Sequence, residues 1–210
     1  AAQQGAFDAP PATPRIGSET LVVDVHDPAG SYVSRRVAVA LPRDPSLGQA
    51  GASGSLFRAI EVAMYPSAAA PVSANWVELR ATVTETVSND ALGGAWLRVV
   101  ADGRVLARGL TDWRGEALVP VAGVPVTTWS SEPDAVVVTE IAASLECYFD
   151  AAAGTRTSAD DVRHGRPPAT QPLPDPQALE DARAALPQAM VPLLLAAGRS
   201  LPLAIAVAVP

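Results

Sequence analysis

The chain has 210 residues, of which 49% are hydrophobic and 18% charged, enough apolar material for a core and too much for global disorder. Its 20 prolines and 15 glycines exclude long helices and suit short strands joined by turns. With a net charge of −7 and 15 arginines scattered apart from Arg35-Arg36, there is no basic patch, so nucleic-acid and anionic-membrane binding are not expected.

Residues 1–18 read as an extended N-terminal arm, with Pro10, Pro11 and Pro14 among small polar residues and no periodic apolar face. The first five residues have neither a basic nor an apolar region, so no signal peptide is expected in the chain as given. Residues 19–65 form an N-terminal β region. In it, Leu21-Val-Val-Asp-Val25 and Tyr32–Leu41 flank the turn-forming Asp27-Pro-Ala-Gly30 and predict a hairpin. Residues 42–55 read as loop, and 56–65 as a short apolar stretch of either type.

The clearest strand signal runs from Trp76 to Val87. Val77, Leu79, Ala81 and Val83 alternate with Glu78, Arg80, Thr82 and Thr84, which places one face in a core and the other in water. Trp76 is expected to join the apolar row. Residues 95–100 and 104–110 follow as strands around Asp102-Gly103, the strongest hairpin signal in the chain. Another strand is predicted over 116–121, and one long or two short strands over 135–149. A sandwich domain is therefore expected at 75–150.

Residues 151–176 lose the periodicity and read as a Pro-rich strap. In the last segment, 177–210, Asp175-Pro176 sets a helix start with aspartate as N-cap and proline at the first helical position. A short helix is predicted over 177–186, ended or kinked by Pro187 and Pro192, and a final strand over 201–209. The apolar tail from Met190 to Pro210 is interrupted by Pro192, Arg199 and Pro202. The intervening runs are too short to span a bilayer, so they read as packed core and no membrane insertion is expected. The expected architecture is mainly β: an antiparallel sandwich, with the N-terminal hairpin and the C-terminal strand packed on it or forming a second small sheet.

Residues 75–125 carry a recognisable pattern: the strand Val77–Val83, the small-residue connection Gly93-Gly94, the strand Leu97–Val100, and the stretch Gly109-Leu-Thr-Asp-Trp-Arg-Gly-Glu-Ala-Leu-Val-Pro120. This resembles the carboxypeptidase regulatory-like, or transthyretin-like, β-sandwich family, whose Thr-Asp-x-x-Gly turn joins two neighbouring strands. The resemblance implies a sandwich fold and makes Thr111, Asp112 and Gly115 turn-formers. It implies no chemistry, because the family serves as a structural or adhesive module in many settings.

Catalytic constellations are sparse. His26 and His164 are the only histidines, and no Cys/His/Asp cluster has zinc-ligand spacing. Asp160-Asp161 lack the repeated acidic spacing of an EF-hand loop, and no Gly-x-Ser-x-Gly, Gly-x-Gly-x-x-Gly or Walker motif occurs. An enzyme would need His26, His164 and Asp160 to converge in one pocket. Cys147 is the sole cysteine, which excludes an intrachain disulfide and reads as a buried, inert thiol. No cofactor, no metal and no catalytic activity are expected.

Trp76, Trp96, Trp113 and Trp129 cluster in sequence. They read as core anchors, with Trp113 in its turn, next to Arg114, as the candidate contact. The combination of a sandwich, a Pro-rich arm and a strap leads to the expectation of a structural or adaptor subunit. Other protein subunits would be its partners, in an oligomer or a large assembly such as a phage tail-like or contractile injection particle. It would be cytoplasmic before assembly and then part of a released particle. The alternative is a carbohydrate- or cell-surface-binding module acting through exposed aromatics.

Overall fold

The structure, a computed structural model, describes residues 14–125 and 140–210, together with the backbone of 128–129 and 136–137. The N-terminal arm therefore lies largely outside the described residues, as does the side chain of Trp129. The chain divides into two compact units: Ala1–Val25 with Arg36–Ala63, and His26–Arg35 with Met64–Pro210.

In the first unit, β1 (Glu19–Val25) and β2 (Arg35–Leu41) form a two-stranded sheet. Arg36 pairs bidentately with Asp24 across them, through Nε at 2.7 Å and Nη2 at 3.2 Å. The loop that follows contains a 3-10 turn at Leu47–Gln49 and is closed by Asp44. The Asp44 backbone bonds Gly54 and Leu56, and its side chain accepts from the Ser46 amide. Residues 56–63, ambiguous in sequence, form neither helix nor strand.

The second unit begins with the connection between β1 and β2, which Asp27 organises. Its carboxylate accepts the backbone N–H groups of Ala29, Ser31 and Tyr32 at 2.8–3.0 Å, so the Asp-Pro-x-Gly turn is held by one side chain. The rest of the unit is a sandwich of two sheets built from β3 (Val77–Glu85), β4 (Ala91–Gly93), β5 (Trp96–Ala101), β6 (Arg104–Leu110), β7 (Glu116–Val121), β10 (Ile141–Tyr148), β11 (Thr155–Thr157), β12 (Gln188–Leu195) and β13 (Ser200–Val207). Between β7 and β10, β8 (Thr128–Trp129) and β9 (Val136–Val137) pair with each other. One sheet has the order β11-β4-β3-β13, with β7 also on β3; the other has the order β12-β10-β5-β6.

Alternation builds the core. Val77, Leu79, Ala81 and Val83 from β3 meet Leu97 and Val99 from β5, Leu145 and Cys147 from β10, and Ile205 and Val207 from β13 in one buried cluster. Trp76 does not join this row; it precedes β3 and stays 40% exposed. Asp102 and Gly103, both with positive φ (+48° and +71°), turn β5 into β6 as a type I′ hairpin requires. The mainly β, sandwich-type fold expected from the sequence is what the structure has.

The C-terminal third departs from expectation in four respects. The strap is not featureless. It contributes β11 to the edge of a sheet and a helix, α1 (Ala159–Arg163), capped by Ser158 and Asp161 in reciprocal contact. The predicted helix is α2 (Pro176–Ala182), with Asp175 bonding the Gln177 amide as N-cap, but it stops short and passes through a 3-10 turn at Arg183–Ala185. Residues 188–195, where prolines suggested a helix end, are instead β12; an edge strand tolerates Pro192. The final strand β13 pairs parallel to β3, the exception in an otherwise antiparallel sandwich. The sandwich is thus completed by strands beyond 75–150: β12 edges one sheet and β13 edges the other.

A second apolar cluster lies on the outer face of the four-stranded sheet. Leu110, Trp96 and Tyr148 occupy one cross-strand row and pack with Tyr65 and with Leu179 of α2. Tyr65 meets Trp96 edge-on, with ring centroids 5.1 Å apart. Beside this row, Arg98 bonds Glu146 at 2.7 Å and forms an ion pair with Glu180 of α2 at 3.2 Å, while the Trp96 indole donates to Glu180 at 2.9 Å. These contacts fix α2 to the sheet and enclose Trp96.

Candidate functional site

The turn between β6 and β7 contains all five residues singled out in sequence. Thr111 is buried; its hydroxyl donates to the Leu92 carbonyl at 2.7 Å and accepts from the Ala95 amide at 2.8 Å, clipping the turn to the connection between β4 and β5. Asp112 carries four bonds. Oδ1 accepts the backbone N–H groups of Arg114 and Glu116 at 2.9 and 3.1 Å, and Oδ2 accepts Nε and Nη2 of Arg114 at 3.0 and 2.8 Å. Arg114 also pairs with Glu116 at 3.0 Å. Partial burial works against the guanidinium charge, but the bonds and charge of Asp112, with Glu116, outweigh it and hold the pKa above its ordinary value. Its charge is therefore committed within the turn.

Gly115 closes the turn at φ +72°, where a Cβ would overlap the Val83 carbonyl oxygen of β3 and crowd the Leu92 amide of β4. Gly93 lets the turn come down on β4: a Cβ there would lie 2.9 Å from the Asp112 carbonyl oxygen and from the Trp113 Cα. Two glycines thus set the position of Trp113.

Trp113 is half-buried and lines an open cleft of about 310 Å³ in the second unit. Tyr32 from the Asp27 turn also lines it, as do Ser34, Ser67, Thr155, and Gln171–Pro174 of the strap. No local sequence pattern signals this meeting, because these residues come from five separate stretches of the chain. The tryptophans themselves do not form a shared platform among the described residues. Trp96 is enclosed under α2, Trp76 is exposed ahead of β3, and only Trp113 lines this cleft.

The residues that an enzyme would need do not line the cleft. His26 bonds Ser34 at 3.2 Å at the turn. His164, Asp160 and Asp161 sit on and after the exposed helix α1, where Arg166 pairs with both carboxylates at 2.6 and 2.7 Å. Among the described residues no group of three or more His, Cys, Asp or Glu side chains is placed to hold a metal ion. No described helix is long and apolar enough to cross a membrane. Cys147 lies in the core, and burial pushes its thiol pKa up to about 12.

A second feature is the surface of β1, where Leu21, Val22 and Val23 are all exposed, Val22 by 52%. The outer strands of the sandwich are protected by known devices. Pro120, Pro192 and Pro202 interrupt β7, β12 and β13, Arg104 and Arg108 punctuate β6, and β11 has only three residues. Within Leu21-Val22-Val23 none of these devices is present.

No family model, no curated protein and no solved structure matches this chain. The class that its own geometry defines is a mainly β protein with a two-sheet sandwich unit and a separate hairpin unit.

Proposed function

We propose that the chain is a non-catalytic structural or adaptor subunit that assembles with other protein subunits into a larger complex, of which a phage tail-like or contractile injection particle is one instance. The observation that carries this reading is β1. An isolated two-stranded sheet is marginal in water, and an edge with three consecutive exposed apolar residues is a template for another chain. The protected edges of the sandwich make β1 the natural attachment strand. The resemblance to carboxypeptidase regulatory-like sandwiches belongs to the same reading, with the Thr111–Gly115 turn as its support; assembly from a cytoplasmic pool is part of it too.

The test is the native size of the untagged protein in the lysate of the cell that makes it, read by gradient sedimentation with an antibody. Co-sedimentation with a large particle, lost on Val22→Arg in a chain that still folds, is the expected result. A monomer-sized band for the unsubstituted chain would overturn the proposal.

A further inference from the structure

The cleft beside Trp113 goes beyond assembly. We infer that it binds a short neutral oligosaccharide, with a sugar ring laid on the Trp113–Tyr32 wall and its hydroxyls met by Gln171, Thr155 and Ser67. Three observations lead to this ligand class.

The first is charge. Among the described residues, Asp112 is the only ionisable acid or base lining the cleft apart from the Tyr32 phenol, and its two oxygens already accept four N–H bonds, which fills their lone-pair capacity. Arg114, directly behind it, is neutralised by Asp112 and Glu116. Nothing remains to attract a phosphate, a carboxylate or a cation, so the ligand is uncharged.

The second is the polar inventory. Among the described residues, no protein group bonds the Trp113 indole N–H, the Tyr32 and Thr155 hydroxyls or the Gln171 amide. Ser67 spends its proton on the Gly30 carbonyl at 2.7 Å and keeps acceptor capacity. The Gln171 amide offers a donor and an acceptor side by side, the pattern that adjacent sugar hydroxyls complement. A cleft with several uncommitted neutral groups favours a ligand that carries many hydroxyls.

The third is shape. The volume sits at the lower end of the range of about 300–1,000 Å³ typical of small-molecule sites, and the cleft is open to solvent. The electron-rich face of an aromatic ring suits the polarised C–H face of a pyranose. A proline-rich peptide would use the same aromatics, but Pro172 and Pro174 of the strap already line the cleft.

The experiment uses the full chain and saturation-transfer NMR with cellotriose, maltotriose and the trimer of N-acetylglucosamine, each up to about 10 mM. A peptide copying residues 9–15 (Ala-Pro-Pro-Ala-Thr-Pro-Arg) is tested in parallel. We expect at least one trisaccharide to bind, and Trp113→Ala and Gln171→Ala each to weaken it about tenfold or more with an unchanged thermal melt. Tyr32→Phe, which keeps the ring, is expected to have the smaller effect and serves if Trp113→Ala fails to fold. Binding of none of the three sugars, binding that survives both Trp113→Ala and Gln171→Ala, or binding of the peptide alone would overturn the inference. None of these results bears on sedimentation with a particle, so the two proposals stand or fall separately.

Discussion

Gly115→Ala and Gly103→Ala make a matched pair, because both glycines sit at nearly the same positive φ, +72° and +71°. An alanine at such a φ costs about 1–2 kcal/mol wherever it is placed. At Gly103 an added Cβ meets nothing within 4 Å, so the backbone penalty is the whole effect. At Gly115 the Cβ would overlap the Val83 carbonyl oxygen and lie 3.1 Å from the Leu92 amide and 3.4 Å from the Ala91 Cβ. The Val83 amide already bonds the Gly115 carbonyl at 2.8 Å, so β3 cannot retreat without breaking its own ladder. Overpacking of this kind adds about 1–3 kcal/mol. We therefore expect Gly103→Ala to lose about 1–2 kcal/mol and Gly115→Ala about 2–5 kcal/mol. Urea unfolding at equilibrium, with m compared between the variants, reads both values. Equal losses would refute the reasoning, since the turn holding Trp113 would then not be seated against β3 and β4.

Three further expectations follow from buried groups. Glu85 occupies a core-facing position of β3, and its carboxylate accepts the amides of Ser88 and Val87 at 2.6 and 2.9 Å, which hold its pKa below the ordinary 4.5. With the folded pKa depressed, its stabilising effect is present above pH 4.5 and disappears as pH falls through the folded value. The difference in Tm between the chain and Glu85→Gln should therefore shrink on acidification below that pH; a constant difference would contradict it. Cys147, with its thiol pKa near 12, should not react with a thiol reagent at pH 8 until the chain unfolds, and rapid labelling of the native protein would count against the core placement. Leu179→Ala removes the main apolar anchor of α2 and should cost about 2–5 kcal/mol. It should also raise hydrogen exchange across 176–185 and red-shift the emission of the newly wetted Trp96; unchanged exchange would mean that Arg98 and Glu180 suffice to hold the helix.

The strength of the ion-pair group around Arg98 lies in its placement. Arg98, Glu146 and Glu180 are each only 12–19% exposed at their side chains, so loss of one partner leaves a charge in a poorly hydrated place. The group seals one edge of Trp96 and ties a helix to a sheet that are far apart in sequence, a role in building the unit and separate from the cleft.

Local chemistry determined what could be read from the sequence alone. The alternation of Val77–Val83 encodes a strand with one buried face. Asp102-Gly103 encodes a hairpin because both positions adopt positive φ, and Asp175-Pro176 encodes a helix start because one side chain can take the orphan amide. Asp112 is legible for the same reason, because its carboxylate bonds residues two and four positions on, whereas the contacts of Thr111 and Gly115 reach back to Leu92, Ala95 and Val83 and belong to the assembled sheets. The tertiary structure alone decided how these pieces combine. The parallel pairing of β13 with β3 and the strand at Gln188–Leu195 depend on which sheet edge is vacant, a property of the assembled sandwich. Burial of Trp96 depends on α2 crossing its face. The cleft depends on the Asp27 turn and the strap converging on Trp113, and no local pattern in the sequence records a convergence of segments so far apart along the chain.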